Sequence, residues 1–366
     1  MMQRQNYRIG GELEIGPVQL DAPVSGQEPS LPKPYLQWVD TGRSAIHLAL
    51  QDVMRRGGQK QAWLPAYCCP SVVAPFVESG IAIRFYSMGA DLGTPSGLPP
   101  SLSAGEIFLF IHYFGFRNGA IVSWLDSVPG RQGAFVLEDC VQASLNSNVG
   151  ESGDYAFTSY RKFLPQPDGA LLASNMPCEH HLAMPDEAFV SGRLIGKMLR
   201  GFDRSESFLT LFSETEKRLE EAAPPAKMSW ASRYLMDRTD SRKIGKTRRQ
   251  NWKWLHQRLV RADLTGKRLT PLFGEALDEG CVPIGLPVLV HNGFRNDLRE
   301  YLRSKNIFCP VHWDLDHLAQ QQQALLTADR DVGNSILTLP IDQRLGPDEL
   351  DYFIDSIKTF FLGRPT

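Results

Sequence analysis

The chain has 366 residues, with 39 Lys and Arg against 41 Asp and Glu and a formal charge of -2. Apolar residues make up 42% and charged residues 22%, an ordinary globular composition that excludes a disordered or collagen-like chain. The length suits two domains, and the charge leaves no general basic footprint for nucleic acid.

The N-terminus carries no apolar core of a secretory signal over Met1–Gly10, and apolar runs such as Ile107–Tyr113 and Val282–Val290 fall far short of the roughly 20 residues that span a bilayer. The six cysteines, Cys68, Cys69, Cys140, Cys178, Cys281 and Cys309, are too few and scattered for a disulfide scaffold and lack zinc-ligand spacing. A reduced, cytoplasmic protein without membrane, nucleic-acid or metal partners is expected.

In chain order, Tyr7–Ile15 reads as a strand, followed by a Pro/Gly/Ser-rich stretch to Pro34. Trp38-Val39 leads into Asp40-Thr41-Gly42-Arg43-Ser44, and a helix follows through Ala45, Ile46, Leu48, Ala49, Leu50 and Val53. It ends at Arg55-Arg56-Gly57-Gly58, basic residues and then glycine. Gln61–Pro65 reads as a short strand, Ser71–Ser79 as a helix stopped by Gly80, and Ile81–Tyr86 as a strand. Glu106–Tyr113 is a continuous apolar run of the kind buried on both faces, and Ala134–Leu137 is the next, ending at Glu138-Asp139. This alternation predicts an α/β domain around a mainly parallel sheet.

From about Asp186 to Leu264 the pattern is helical. Its basic cluster Arg242–Arg249 reads as a solvated helix face rather than a nucleic-acid patch. Mixed α/β returns with a strand at Ile284–Val290, which Pro287 demotes to a sheet edge. A helix at Phe294–Ser304, a strand at Ile336–Pro340 and a closing helix at Asp348–Phe361 complete a smaller second domain, to which Tyr7–Ile15 could add a strand.

Chemistry is expected at the carboxyl ends of the parallel strands. Gly42, Arg43 and Ser44 at a helix start offer N–H groups, a cation and a hydroxyl to an anion, although Ser or Thr there also serves as a plain cap. Asp139 follows a buried strand, where a carboxylate is costly unless it meets a cation; an N-cap is the alternative. Lys162 runs straight into Phe163 and Leu164, so its ammonium can be desolvated and its amine nucleophilic, unlike the usual surface lysine. An anion site, a carboxylate and a lysine in that order suit pyridoxal 5'-phosphate, which needs seats for its phosphate, its ring nitrogen and its aldehyde.

On these residues the chain resembles the DegT-type sugar aminotransferases of the fold-type-I pyridoxal-phosphate enzymes. That family typically shows SGTSALHLAL, where this chain has Thr41 through Leu50. It follows with VPSFTF, here Leu64-Pro65-Ala66-Tyr67-Cys68-Cys69, an H-x-x-G turn, here His112 through Gly115, and EDAAQA, here Glu138 through Ala143. A GD-x-x-x-FSF segment leads to the lysine, here Gly153-Asp154 through Ser159 to Lys162, and Leu337 through Asp342 resembles the closing strand.

The resemblance implies a large domain with a mainly parallel sheet between helices (35–225), a smaller α/β C-terminal domain (226–366) and an N-terminal segment (1–34) packing on the latter. It implies that Lys162 forms a Schiff base with pyridoxal 5'-phosphate and moves protons, that Asp139 pairs with the ring nitrogen and that Gln142 lies near the ring. Gly42, Arg43, Ser44 and Ser159 are the implied phosphate contacts. His112, His312 and Trp313 are candidates for the substrate pocket, with core or loop packing as their alternative. The implied activity is amino transfer from a small-molecule donor such as glutamate to a keto-sugar nucleotide or similar keto acceptor, in polysaccharide biosynthesis and as a homodimer. A lyase or dehydratase, or a non-catalytic sensor or scaffold, are the competing functions.

The chain departs from the family pattern in several places. Arg43 replaces a threonine, and Cys69 stands where a ring-stacking aromatic belongs, with Tyr67 as the substitute. The approach to Lys162 is about two residues short, and Pro165-Gln166-Pro167-Asp168-Gly169 replaces a glycine-rich turn. The asparagine motif that reaches a neighbouring subunit has no clear match, Arg233 and Asn251 being the nearby candidates.

Overall fold

The apolar runs of the N-terminal half assemble into one sheet. The computed structural model describes residues 8–25, 28–178, 180–202, 206–221, 223–313, 315 and 327–364; Tyr7 of the expected first strand lies outside them. In chain order the first elements are β1 (Ile9–Gly10), α1 (Pro17–Asp21), β2 (Tyr35–Val39), α2 (Gly42–Arg55), β3 (Gln61–Pro65), α3 (Pro70–Glu78) and β4 (Ala82–Tyr86). Then come β5 (Ile107–Ile111), α4 (Gly119–Leu125), β6 (Phe135–Asp139), β7 (Tyr155–Phe157) and β8 (Ala170–Ser174). The helical stretch holds α5 (Glu187–Phe202), α6 (Phe208–Glu220), α7 (Trp230–Asp237) and α8 (Ser241–Arg261). The chain closes with β9 (Leu269–Pro271), β10 (Leu286–Val290), α9 (Arg295–Ser304), β11 (Ile307–Phe308), α10 (Thr327–Ser335), β12 (Ile336–Leu339) and α11 (Pro347–Phe361).

The large sheet runs β2-β8-β7-β6-β5-β3-β4. The strands from β7 through β4 are parallel, and β8 and β2 are antiparallel to their neighbours. Every residue of β5 is buried, as its unbroken apolar run requires of a strand covered on both faces. α2 packs its buried stripe, Ala45, Ile46, Leu48, Ala49 and Val53, into the same core. Thr41 caps it by accepting the Ser44 N–H.

A second apolar core joins Trp252, Leu255 and Leu259 of α8 to Leu286, Val288 and Val290 of β10, Leu298 of α9 and Phe353 and Ile357 of α11. Ile9 belongs to it, and β1 pairs with β11, so the N-terminal segment does add a short strand on this side of the molecule.

β10 is the middle strand of the sheet β12-β10-β9, which corrects the edge placement expected from Pro287. The Pro287 carbonyl accepts the Leu272 N–H (3.0 Å), while Thr338, opposite Pro287, sends its N–H to Pro310 (2.9 Å). An N–H at 287 could return a bond to the Leu272 carbonyl, so the proline in this central strand forgoes that one ladder bond while none is lost towards Thr338.

Candidate active site

Ile111, Asp139 and Phe157 are the last residues of β5, β6 and β7, aligned side by side in the sheet register, and all three face one cleft of about 730 Å³. A ligand crevice is expected at this end of a parallel sheet. The cleft also brings together Gly42, Arg43, Cys69, Gln142, Ser159, Lys162, His312 and Trp313. Ser44, Tyr67 and His112 do not line it.

Asp139 is 4% exposed; its Oδ1 accepts the Val141 N–H at 2.8 Å. Burial pushes its carboxyl up to about 6, against the opposing pull of that N–H and of Lys162. Lys162 ends a short turn, Tyr160–Lys162, that is anchored by the buried Phe163 and Leu164. Burial holds its ammonium below the ordinary value and Arg161 adds to the effect, while Cys69, Asp139 and Glu216 oppose it. Gln142 is 1% exposed and its Oε1 accepts the Phe114 N–H at 2.7 Å, which identifies the oxygen. Its Nε2 is thereby left as a buried donor with no protein partner.

The start of α2 closes the cleft on another side. First-turn N–H groups have no intrahelical acceptor, and Thr41 Oγ1 takes that of Ser44 (3.1 Å). Gly42 lies beside Ser159 and Val141: a Cβ there would meet both in ordinary contact, 3.7 Å from the Ser159 Cβ and 3.5 Å from Val141. The Arg43 guanidinium is bound to Glu78 and to the Leu219 carbonyl (3.0 Å), both of which also line the cleft. Glu78 also takes His47 Nε2 at 2.7 Å. The Arg43 charge is thus compensated within the cleft lining.

Tyr67 is fully buried behind Trp313, ring centroids 5.6 Å apart, so Trp313 rather than Tyr67 offers an aromatic face to the cleft, beside Cys69. His312 hydrogen-bonds Thr338 Oγ1 through Nδ1 at 2.9 Å. Burial first, and then Lys162, push its pKa down to about 3, so the ring is neutral. His112 is fully buried. Its Nδ1 accepts the Asn118 N–H (3.0 Å), leaving Nε2 to donate to Glu138 (2.8 Å), and both ring nitrogens are used inside the core.

Arg233 pairs with Glu28 (2.6 Å), and Asn251 donates to the Ile341, Asp342 and Leu345 carbonyls, and neither lines the cleft. Sequence reasoning missed Glu78, Arg161 and Glu216, which also line the cleft. Arg161 had a usable signal, a second cation beside the lysine in an apolar stretch; Glu78 and Glu216, on α3 and α6, had none.

No protein-family model and no curated protein sequence matches the chain. Solved structures do. A DegT DnrJ EryC1 StrS aminotransferase from Brucella abortus is 16% identical with a TM-score of 0.60, over 90% of this chain and 87% of that one. The sugar aminotransferase CalS13 from Micromonospora echinospora is 16% identical with a TM-score of 0.59, over 95% and 93%. NtdA from Bacillus subtilis, solved with bound cofactor PMP, is 14% identical with a TM-score of 0.61, over 89% and 73%. The chain has the fold of these aminotransferases, the fold-type-I architecture.

Proposed function

We propose that the cleft binds pyridoxal 5'-phosphate and that the protein is an aminotransferase, a divergent member of the DegT-type family. It moves an amino group from an amino-acid donor such as glutamate to a keto-sugar nucleotide or a similar keto substrate. One observation carries this: a desolvated lysine and a buried, under-partnered aspartate face the same cleft, at strand ends closed by a helix N-terminus. The fold it shares with aminotransferases supports the same conclusion.

The residues fit the cofactor. Lys162 would hold it through an amine whose charged form burial disfavours. Asp139, with a single N–H on its carboxylate and a raised pKa, is suited to a protonated ring nitrogen. The N-terminus of α2 at Gly42 and Arg43, with Ser159, would form the phosphate seat. The free Gln142 NH₂ is a donor waiting for an oxygen. When bound, the cofactor supplies the electron sink that transamination requires. The Lys162 amine, once free, is the base placed to take the proton from the donor's α-carbon, and the neutral His312 and Trp313 form the wall that a substrate meets.

We further propose that the protein acts in the assembly of amino sugars for polysaccharide biosynthesis and as a homodimer; sedimentation would test the dimer. For the activity, the wild type loaded with pyridoxal phosphate and given L-glutamate should release about one equivalent of 2-oxoglutarate per subunit, and Lys162→Ala none. No release from the wild type with glutamate or any other amino acid would favour a non-catalytic scaffold.

A further inference from the structure

The charged residues that line the cleft are Arg43, Arg161 and Lys162 against Glu78, Asp139 and Glu216. Arg193 of α5, 1% exposed, pairs with Glu12 at 3.0 Å and with Glu216; Lys197, also 1% exposed, pairs with Glu12 at 2.7 Å. These two carboxylates are already taken by two buried cations before Lys162 and its neighbour Arg161 are counted. Arg161 lines the cleft next to Lys162 and Glu216, and its charge acts on Lys162, Lys197 and Glu12. Its Nε is buried with no hydrogen-bond partner, and among the described residues no carboxylate forms an ion pair with it. Arg43, the other guanidinium of the cleft, is bound to Glu78 and the Leu219 carbonyl. A half-buried guanidinium with an open Nε is costly unless something accepts from it. A carboxylate or phosphate fits, because two of its oxygens can take Nε–H and a terminal N–H side by side.

We propose that Arg161 is an oxyanion-binding side chain of the cleft and receives a carboxylate or phosphate group of the small molecule bound there. This deepens the aminotransferase proposal and rests on it for what enters the cleft: the oxyanion is then the phosphate of the cofactor or a carboxylate of the amino donor. Lys162 supplies the reactive amine and Arg161, one residue away, fixes the charged end.

The test compares wild type with Arg161→Gln and Arg161→Lys. In cofactor-free protein, inorganic phosphate and the unreactive dicarboxylate glutarate should raise the wild-type melting temperature. Arg161→Gln should lose that response, and Arg161→Lys, which keeps the charge but not the fork, should retain part of it, showing also that the site tolerates substitution. Affinities for pyridoxal phosphate and for pyridoxal, and the dependence of the half-reaction on L-glutamate, then identify the source. A loss on the order of 10- to 100-fold in pyridoxal phosphate affinity, with pyridoxal unaffected, assigns Arg161 to the cofactor's phosphate. A rise of that size in the KM for glutamate, with cofactor affinity and kcat unchanged, assigns it to the donor's carboxylate. Arg161→Gln equal to wild type in all these measurements overturns the proposal. Anion responses that depend on Arg161 in a protein that never binds pyridoxal phosphate would keep the oxyanion site and reject the aminotransferase proposal.

Discussion

Asp139→Asn is expected to make the cofactor-free protein more stable while disabling it. Asp139 is 4% exposed, and burial raises its carboxyl from the ordinary 3.8 to about 6. The ionised form is therefore the one that folding disfavours. Below about pH 4 the carboxyl is protonated in both folded and unfolded chains and there is no cost. As pH rises from 4 to 6 the unfolded chain gives up a proton that the folded protein retains, so stability falls across that window; above it the full cost is present. At 1.36 kcal/mol per tenfold change in proton affinity, the cost is about 3 kcal/mol at pH 8 and about 1.6 kcal/mol at pH 5. Asparagine keeps an oxygen for the Val141 N–H and carries no charge. Urea unfolding of cofactor-free protein, followed by tryptophan fluorescence, should show the variant more stable by up to about 3 kcal/mol at pH 8 and by about half that at pH 5. Half-transamination should be lost, since a neutral amide does not hold the cofactor ring protonated. A variant no more stable than wild type at pH 8, or one whose advantage is undiminished at pH 5, refutes the reasoning.

Two further outcomes are expected. Gly115 has φ +98°, and a Cβ there would stand 2.6 Å from the Val282 carbonyl oxygen; Gly115→Ala should cost about 2–3 kcal/mol in urea unfolding, and a cost below about 0.5 kcal/mol would contradict this contact. His312 is pushed down to about 3 and stays neutral across the working range, so His312→Gln should leave the shape of the pH profile of the half-reaction unchanged between pH 5 and 8. Loss of an inflection in that range would show that His312 titrates there.

The parts of the cleft legible in the sequence are those fixed by strand ends. Asp139 terminates a buried apolar strand and Gly42 starts a capped helix, and in a parallel sheet both positions face the same crevice. Lys162 was legible because two buried residues, Phe163 and Leu164, follow it directly. What escaped depends on how side chains are turned by packing. Tyr67 and Cys69 are two residues apart, yet Tyr67 lies behind Trp313 and Cys69 in the cleft. His112 follows the strand next to that of Asp139, but Glu138 and the Asn118 N–H draw its ring into the core. Arg43 lies in the first turn of α2, and Glu78, 35 residues on, takes its charge. Pro287 shows the same for the fold: it lies in the middle of a sheet, pairing with β12 and β9, which no local pattern announces.

The most direct test of a lysine-bound cofactor is the visible spectrum of the purified protein with pyridoxal phosphate, before and after borohydride, with the labelled peptide mapped. A band that borohydride bleaches, with the label on Lys162 and absent from Lys162→Ala, is the expected result. No band, or a label on another lysine, would contradict the role assigned to Lys162 and leave the aminotransferase fold without its cofactor.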